Sequence, residues 1–572
     1  KKLFAQAPTG IGKTISVLFP AVKSIGEGHV SKIFYLTAKT ITRETALNAI
    51  DIMATKGLRI KSVVITAKEK ICLNTEVKCN PEDCPCAKGH YDRVNDAIMD
   101  VLKNEDMITR DVILKYSRIH NVCPFELSLD LSLLSDIIIC DYNYVFDPNV
   151  YLKRFFDVRA DNYVFLIDEA HNLVDRSREM YSAEIYKSQF MKYRKLFKDT
   201  YPNLSKAFTR CNNMINKIKR EYLKEEDFYY QREEITDIYA SVNKLLKELE
   251  EWLTKNKKDE YYDELLDIYF ELLKFINISQ LYDTRYVTYI QRLDEDLMIK
   301  LFCVDASYLL AEVLKKGKAS VLFSATLTPL KYYRHILGGD DEDYIIRFSS
   351  PFPRDNLCLL IGDRVSTRYK DRDRTYMEVV NYIEEFTSKK KGNYLVFFPS
   401  FKYMEHVYSI FIERNPHIKA IIQESAMDEL AREDFLREFD FSDQSMIAFA
   451  VLGGIFSEGI DLIGDKLIGA VIVGVGLPQI CFERDIIRDY FDSENGLGYE
   501  YAYMYPGMNK VLQAAGRVIR SEKDRGAILL IDDRFTTSTY RGLFPEEWMN
   551  FKRVRNSKDI SRYLNGFWDG PQ

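Results

Sequence analysis

The eight residues Ala7-Pro-Thr9-Gly10-Ile-Gly12-Lys13-Thr14 constrain this chain more than any other stretch. They follow an apolar strand pattern, Leu3-Phe4-Ala5, and lead into a helical pattern over 15–22. Strand, glycine loop, Lys-Thr and helix spell a phosphate-binding loop, because glycines let backbone N–H groups close around an anion at a helix N-terminus. In this reading Ala7, Thr9, Gly10 and Gly12 shape the cradle, Lys13 reaches the β- and γ-phosphates, and the Thr14 hydroxyl holds Mg²⁺. Ala7 stands where the usual first glycine would be, and a glycine-rich turn between strand and helix is the plainer alternative.

The chain has 572 residues, which predicts three to five domains of about 100–200 residues each. Apolar residues make up 46% and charged residues 29%, with a net charge of −6, so any nucleic-acid surface must be a local patch. No apolar run of about 18 residues occurs, and no membrane contact is expected. The chain starts Lys1-Lys2 without a Met and enters its first core strand within three residues, so sequence upstream of the phosphate loop is expected. No signal-peptide or nuclear-targeting pattern is evident; a bacterial, cytoplasmic, nucleoid-associated protein is the default expectation. Ten cysteines are too few and too unevenly placed for a secreted disulfide scaffold.

Five of those cysteines, Cys72, Cys79, Cys84, Cys86 and Cys123, lie within 52 residues. No pair of C-x₂-C knuckles is present, as a zinc ribbon would show. Irregular spacing with a distant fourth cysteine followed by Pro124 suits an iron–sulfur cluster better. Five candidates compete for four positions; the set chosen is Cys72, Cys79, Cys84 and Cys123, where Cys79 and Cys84 flank the turn-forming Asn-Pro-Glu-Asp. Free cysteines in a loop are the alternative.

Elsewhere the pattern is of alternating strands and helices. Thr37-Ala-Lys39-Thr40 closes a short apolar run and could meet a sugar–phosphate backbone, or simply cap a helix expected from about Arg43. Asp141-Tyr142-Asn-Tyr144 ends another buried strand, where ligands of open α/β sheets bind; Tyr142 is taken as a nucleic-acid contact. Tyr163-Val-Phe-Leu-Ile-Asp168-Glu169-Ala-His171 delivers two carboxylates: Asp168 for Mg²⁺ through water, Glu169 to polarise the attacking water. From 184 to 290 helical apolar stripes dominate. Residues 184–220 hold ten Lys/Arg against Glu184 and Asp199, whereas 221–271 hold seven Lys/Arg against sixteen Asp/Glu. The basic part, with Lys192, Arg194 and Lys195, is read as facing nucleic acid; a solvated face is the competing reading. The α/β pattern resumes at Ser324-Ala-Thr326. Further on come a Gly-rich loop carrying Glu458 and Asp461, and the stretch Gln513-Ala-Ala-Gly-Arg517-Val-Ile-Arg520. There the spacing i, i+3 predicts two guanidiniums on one helical face, aimed into a cleft as arginine fingers.

Taken together, Ala7 to Thr14, Leu36 to Thr40, Asp168-Glu-Ala-His171, Ser324-Ala-Thr326, Ser349-Ser-Pro-Phe352, Val396-Phe-Phe-Pro-Ser400, Ser457-Glu-Gly-Ile-Asp461 and Gln513 to Arg520 resemble, in order, the motifs of a superfamily 2, DEAH-type helicase of the XPD/DinG family. The resemblance spans nearly the whole chain. It implies an α/β fold of two RecA-like motor domains, with an iron–sulfur insertion and a helical Arch insertion in the first. The boundaries expected are 1–68, 131–183 and 291–330 for the first motor domain, 69–130 for the cluster domain, 184–290 for the Arch and 331–572 for the second motor domain. It implies ATP, Mg²⁺ and a 4Fe-4S cluster as cofactors, with Glu458, Asp461, Gln513, Arg517 and Arg520 at the nucleotide, and Thr37, Lys39, Thr40 and Ser400 at the DNA. It also implies a monomer that moves 5′→3′ on single-stranded DNA and opens forked or tailed duplexes, in repair or recombination. A translocase that displaces bound protein without unwinding is the first alternative; a redox-sensing cluster protein with regulatory ATP is the second.

Overall fold

The computed structural model describes residues 1–38, 40–156, 162–440, 445–456, 462 and 464–570. Two parallel sheets form its frame. The first has eight strands in the order Tyr344–Arg347, Lys2–Gln6, Ala319–Ser324, Tyr163–Asp168, Lys32–Leu36, Ile137–Cys140, Ser62–Val64 and Met107–Ile108. The second has seven: Lys419–Ile422, Met446–Val451, Asn393–Phe398, Gly469–Val473, Gly526–Ile531, Leu357–Gly362 and Lys552–Val554. Strands that are apolar without alternation, such as Ile137–Cys140 and Asn393–Phe398, are buried along their whole length, as a parallel sheet covered on both faces requires. Every strand of the first sheet that carries a motif ends at the same edge, so the phosphate loop, Ser324, Asp168 and Tyr142 gather there.

The first sheet reaches beyond the boundary expected at residue 330. Tyr344–Arg347 lies parallel to Lys2–Gln6, and the Phe348 N–H continues the ladder to the Gln6 carbonyl at 2.9 Å. Residues 348–356 are therefore the crossing between the two sheets. The stretch read as helical, 184–290, holds strands as well. Helices Lys187–Leu196, Pro202–Ile218, Tyr239–Lys255 and Tyr262–Ser279 are present, but a four-stranded antiparallel sheet supports them. It is built from Ala183–Tyr186, Asp296–Cys303, Tyr286–Leu293 and Phe228–Gln231. Its central hairpin turns at Asp294, held at φ 48°, a conformation Asp tolerates better than most residues.

One helix of the second half breaks the division by sequence. Phe482–Asn495 buries Ile486, Ile487, Tyr490 and Phe491 in the hydrophobic core of the first half and its insertion. Phe482 stacks on Phe228 at 3.8 Å, Tyr230 donates to Asp489 at 2.8 Å, and Arg484 pairs with Asp175 at 3.2 Å. The two halves are thus joined through this helix as well as through the crossing segment.

Candidate active site

The phosphate loop is shaped by two glycines in the left-handed region, Gly10 at φ 84° and Gly12 at φ 74°. Gly12 caps the helix Lys13–Gly26, so the first helical N–H groups point into the loop. Ala7, buried at the loop entrance, donates its N–H to the Ser324 carbonyl at 2.9 Å. Gly10 is needed for space as well as for φ. A Cβ there would lie 2.6 Å from the ring tip of Phe352 and 2.5 Å from the Arg520 carbonyl oxygen, both contributed from beyond the first sheet.

Behind the loop, Asp168 and Thr14 are buried and share a third group, the Tyr35 hydroxyl. Tyr35 donates to Asp168 Oδ2 at 2.5 Å, and the Glu169 N–H donates to Asp168 Oδ1 at 2.8 Å. Tyr142 is wholly buried, and its hydroxyl donates to the carbonyls of Asp168 and, at 3.1 Å, Glu169. This corrects the expectation of a nucleic-acid contact: Tyr142 is a prop under the carboxylate pair. Glu169 needs one, because it sits at φ 47°, a region that costs a residue with a Cβ about 1–3 kcal/mol. Burial first, then the charge of Glu169, push the Asp168 carboxyl up. Glu169 is held down overall: its burial acts upward, but His171 when protonated, Lys13 and the Ser324 hydroxyl outweigh it, with Arg517 adding to them. An ionised Glu169 is what a base acting on water requires. Thr14 and Asp168 are the oxygen ligands that Mg²⁺ would use, and its charge would offset the desolvation of Asp168.

From Glu169 a hydrogen-bonded chain crosses to the other half. The register Phe323 opposite Asp168 sets Ser324 beside Glu169, and Ser324 Oγ donates to Glu169 Oε2 at 2.7 Å. His171 Nδ1 lies 2.8 Å from Ser324 Oγ, and Gln513 Nε2 lies 2.6 Å from His171 Nε2. Gln513 also reaches Thr326 Oγ1 at 3.5 Å. With His171 neutral and its proton on Nδ1, each link has one donor and one acceptor.

Gln513 stands on the helix Tyr505–Ala515. That helix ends at Gly516, so Arg517 and Arg520 are not on one helical face as the i, i+3 spacing predicted; Arg517 follows in a turn and Arg520 in irregular chain beyond it. Both still line the cleft with Thr9, Glu169, His171 and Gln513. Glu458, Asp461 and Lys39 lie outside the described residues, as does the side chain of Thr40.

The other expected DNA contacts fare unevenly. Thr37 is buried, 1% exposed, and hydrogen-bonded to Thr42, so it does not present itself to a strand. The helix begins at Thr40, three residues earlier than expected. Ser400 caps the helix Phe401–Arg414, accepting from the Tyr403 N–H. Lys192 is ion-paired to Glu264 at 2.6 Å, and Arg194 is half-buried. In the cysteine segment Cys84 and Cys86 are buried, Cys72 and Cys123 half-buried and Cys79 exposed. Asn74 donates to Cys84 Sγ at 3.3 Å, and the Cys86 thiol reaches Asn121 at 3.7 Å. Those asparagines stand two residues from Cys72 and Cys123, so the thiols are gathered in one locale, with Cys86 inside it. Burial first, then the thiolates of Cys84, Cys123 and Cys72, push the Cys86 thiol up. Soft donors converging in this way fit an iron–sulfur group chemically. Among the described residues no three His, Cys, Asp or Glu side chains are closed to metal-holding distance.

Sequence reasoning missed Tyr35 and the propping role of Tyr142. The available signal was a tyrosine within or just after a fully apolar strand, whose buried hydroxyl must find a partner.

A phosphate loop and a carboxylate pair on one parallel sheet, with Gln and Arg side chains reaching over from a second, define a nucleoside-triphosphatase motor with two RecA-like halves. Residues 39–190 match the DEAD_2 family and residues 383–551 the Helicase C-terminal domain family. The chain is 25% identical over 563 residues to the ATP-dependent DNA helicase XPD of Sulfolobus acidocaldarius, covering 93% of this chain and 92% of the relative. It is 22% identical over 587 residues to the ATP-dependent DNA helicase CHL1 of Candida glabrata, covering 89% and 70%. Among solved structures an XPD helicase superposes with a TM-score of 0.65 at 20% identity, covering 96% and 95%, and Xpd4 of S. tokodaii with 0.61 at 14%, covering 97% and 96%. The chain belongs to the XPD/DinG family of superfamily 2 helicases, and it is an ATP hydrolase of that class.

Proposed function

We propose that the protein is a DNA helicase that spends ATP to move along single-stranded DNA, 5′→3′, and to open tailed or forked duplexes, acting as a monomer in repair or recombination in the cytoplasm, at the nucleoid. The observation that carries this reading is the chain of hydrogen bonds from Glu169 through Ser324 and His171 to Gln513. The group that activates water is linked directly to the half that must move. Lys13 and the loop N–H groups bind the triphosphate, Thr14 and Asp168 hold Mg²⁺, Glu169 takes the proton of the attacking water, and Arg517 and Arg520 meet the charge that develops on the γ-phosphate. Loss of that phosphate removes what both halves grip, which opens the cleft once per turnover. Cys72, Cys79, Cys84 and Cys123 are the proposed ligands of a 4Fe-4S cluster, whose domain would stand as a wedge at the duplex fork.

Lys13→Ala tests the site. ATP turnover should fall on the order of 10³-fold while single-strand binding persists; retained turnover overturns the assignment. Strand displacement on 5′-tailed, 3′-tailed and blunt duplexes tests the rest. Opening of the 5′-tailed duplex alone supports the reading. DNA-stimulated ATPase activity without displacement would replace it by a translocase that clears bound protein. Bound iron and a brown colour should accompany the purified protein, and zinc in their place defeats the cluster.

A further inference from the structure

The turn that follows the clustered cysteines brings one histidine into their locale. Ala87 and Lys88 both donate their N–H to the Cys84 carbonyl, at 3.1 and 3.2 Å, and Gly89, at φ 69°, turns the chain into the helix His90–Asn104. Arg93 staples this turn to the segment of the distant cysteine: its Nη2 donates to the carbonyls of Lys88 and Asn121, both at 2.7 Å. The Cys86 thiol meets the same segment at Asn121. The His90 ring is thereby set against Cys123, whose backbone N–H donates to His90 Nδ1 at 3.3 Å. His90 is only 5% exposed, yet its second ring nitrogen, Nε2, is buried and finds no hydrogen-bond partner among the described residues.

A backbone N–H can only donate, so Nδ1 is the acceptor and the proton of the neutral ring sits on Nε2. Nε2 is then a buried donor without an acceptor, and such a group calls for one that the folded chain does not itself supply. The same tautomer excludes Nε2 as a ligand to iron, because ligation needs the lone pair there and the proton on Nδ1. A histidine kept only to brace Cys123 would leave that donor stranded. We propose that His90 is a positioning residue of the cysteine site: its Nδ1 holds the Cys123 backbone, and its Nε2–H donates a hydrogen bond to sulfur of the iron–sulfur group that the cysteines hold. This rests on the reading of the cysteine segment as a cluster site and goes beyond it, because it gives the cluster a partner that is not a cysteine and a direction of tuning. A hydrogen bond to sulfur favours the more negative, reduced form, so His90 raises the reduction potential and slows the loss of iron. His120, three residues before Cys123, is committed elsewhere, to Asp100 at 2.9 Å.

Two measurements test the role of His90. An asparagine amide can take the place of Nδ1, and a glutamine amide the place of Nε2. His90→Asn therefore keeps an acceptor for the Cys123 N–H and deletes the distal donor, whereas His90→Gln supplies a distal donor again. The natural chain and both variants are titrated against reductants of known potential, and iron release to a chelator is timed. His90→Asn should be reduced only at a lower potential and should lose iron about tenfold faster; His90→Gln should stay close to the natural chain in both. An unmoved potential in His90→Asn, or the same shift in both variants, leaves His90 a structural role alone and overturns the proposal. The second measurement needs no variant. In the natural chain, grown with isotope-labelled histidine and reduced, pulsed EPR should find a weakly coupled histidine nitrogen, as a hydrogen bond to sulfur gives. No coupling overturns the proposal, and so does the strong coupling of a nitrogen bound to iron. A natural chain that holds no iron on metal analysis would instead defeat the cluster reading on which the proposal rests.

Discussion

The nucleotide cleft and the helical insertion both carry many charged side chains, and they use them in opposite ways. In the cleft, charges are held by neutral props: Tyr35 and Tyr142 hydroxyls fix Asp168 and Glu169, and Ser324, His171 and Gln513 orient Glu169. In the insertion, charges satisfy one another. Lys192 pairs with Glu264 at 2.6 Å and Lys217 with Asp237 at 2.7 Å, so the basic stretch and the acidic stretch that follows it in sequence meet in space. Glu169, poised to act on a ligand, is oriented by hydroxyls and lies near cations that also face the nucleotide, Lys13 and Arg517. A charge already neutralised by its neighbour says little about a ligand. Segregation of charge along a sequence does not distinguish the two cases, because the helices fold back on each other.

The comparison is broken most severely by removing a charge from the cleft. Arg517→Ala deletes a cation whose field is felt at Glu169 and which would meet the γ-phosphate. ATP turnover should fall on the order of 10³-fold, with nucleotide binding and melting temperature little changed. A fall of only a few-fold in single-turnover assays would assign the role to Arg520 alone.

Removing a prop should cost less. Tyr142→Phe keeps the ring in its buried place and deletes one hydroxyl, leaving the carbonyls of Asp168 and Glu169 without that donor. A loss of about 1–2 kcal/mol in stability is expected from buried acceptors stripped of a partner. Glu169, at φ 47°, should lose some of its alignment, and kcat should drop several-fold. Denaturant melts and steady-state kinetics check both. Unchanged stability would mean that water replaces the hydroxyl. A normal kcat in a destabilised protein would mean that the prop serves folding alone.

These contrasts also explain what the sequence made legible. The phosphate loop, the Asp168-Glu169 pair and Ser324 could be read because each motif is local: a few residues at a strand end carry both the geometry and the chemistry. Tyr35 and the bond between His171 and Gln513 could not, because they depend on which strands become neighbours. Lys32–Leu36 lies beside Tyr163–Asp168 only through the sheet order, more than a hundred residues apart. The helix Phe482–Asn495 was unreadable for the same reason, since its apolar face matches a core made by the other half. The misplacement of Arg517 and Arg520 on a helix is different in kind. Gly516 carries the local signal against that helix, since glycine is a common helix stop, and the i, i+3 spacing of the arginines has no bearing beyond it.

The smallest effect should come from the insertion, and it sharpens the comparison most. Lys192 was read from sequence as a nucleic-acid contact, yet its ammonium sits 2.6 Å from the Glu264 carboxylate and the Tyr193 hydroxyl shares that carboxylate. Both charged side chains are about half exposed, 56% and 50%, so the pair is screened and contributes little to stability. Lys192→Ala should therefore change single-strand affinity by less than about twofold at physiological salt and leave the slope of affinity against salt unaltered, whereas loss of a true phosphate contact reduces that slope by about one. Glu264→Ala is the complementary probe. If the pair is self-contained, releasing Lys192 by this change should strengthen DNA binding slightly at low salt and not at high salt. If Lys192 instead leaves Glu264 to grip DNA, Lys192→Ala weakens binding in the natural chain and weakens it further when Glu264 is also Ala. The insertion would then share the cleft's logic after all, with an acidic partner that only parks the cation until a strand arrives.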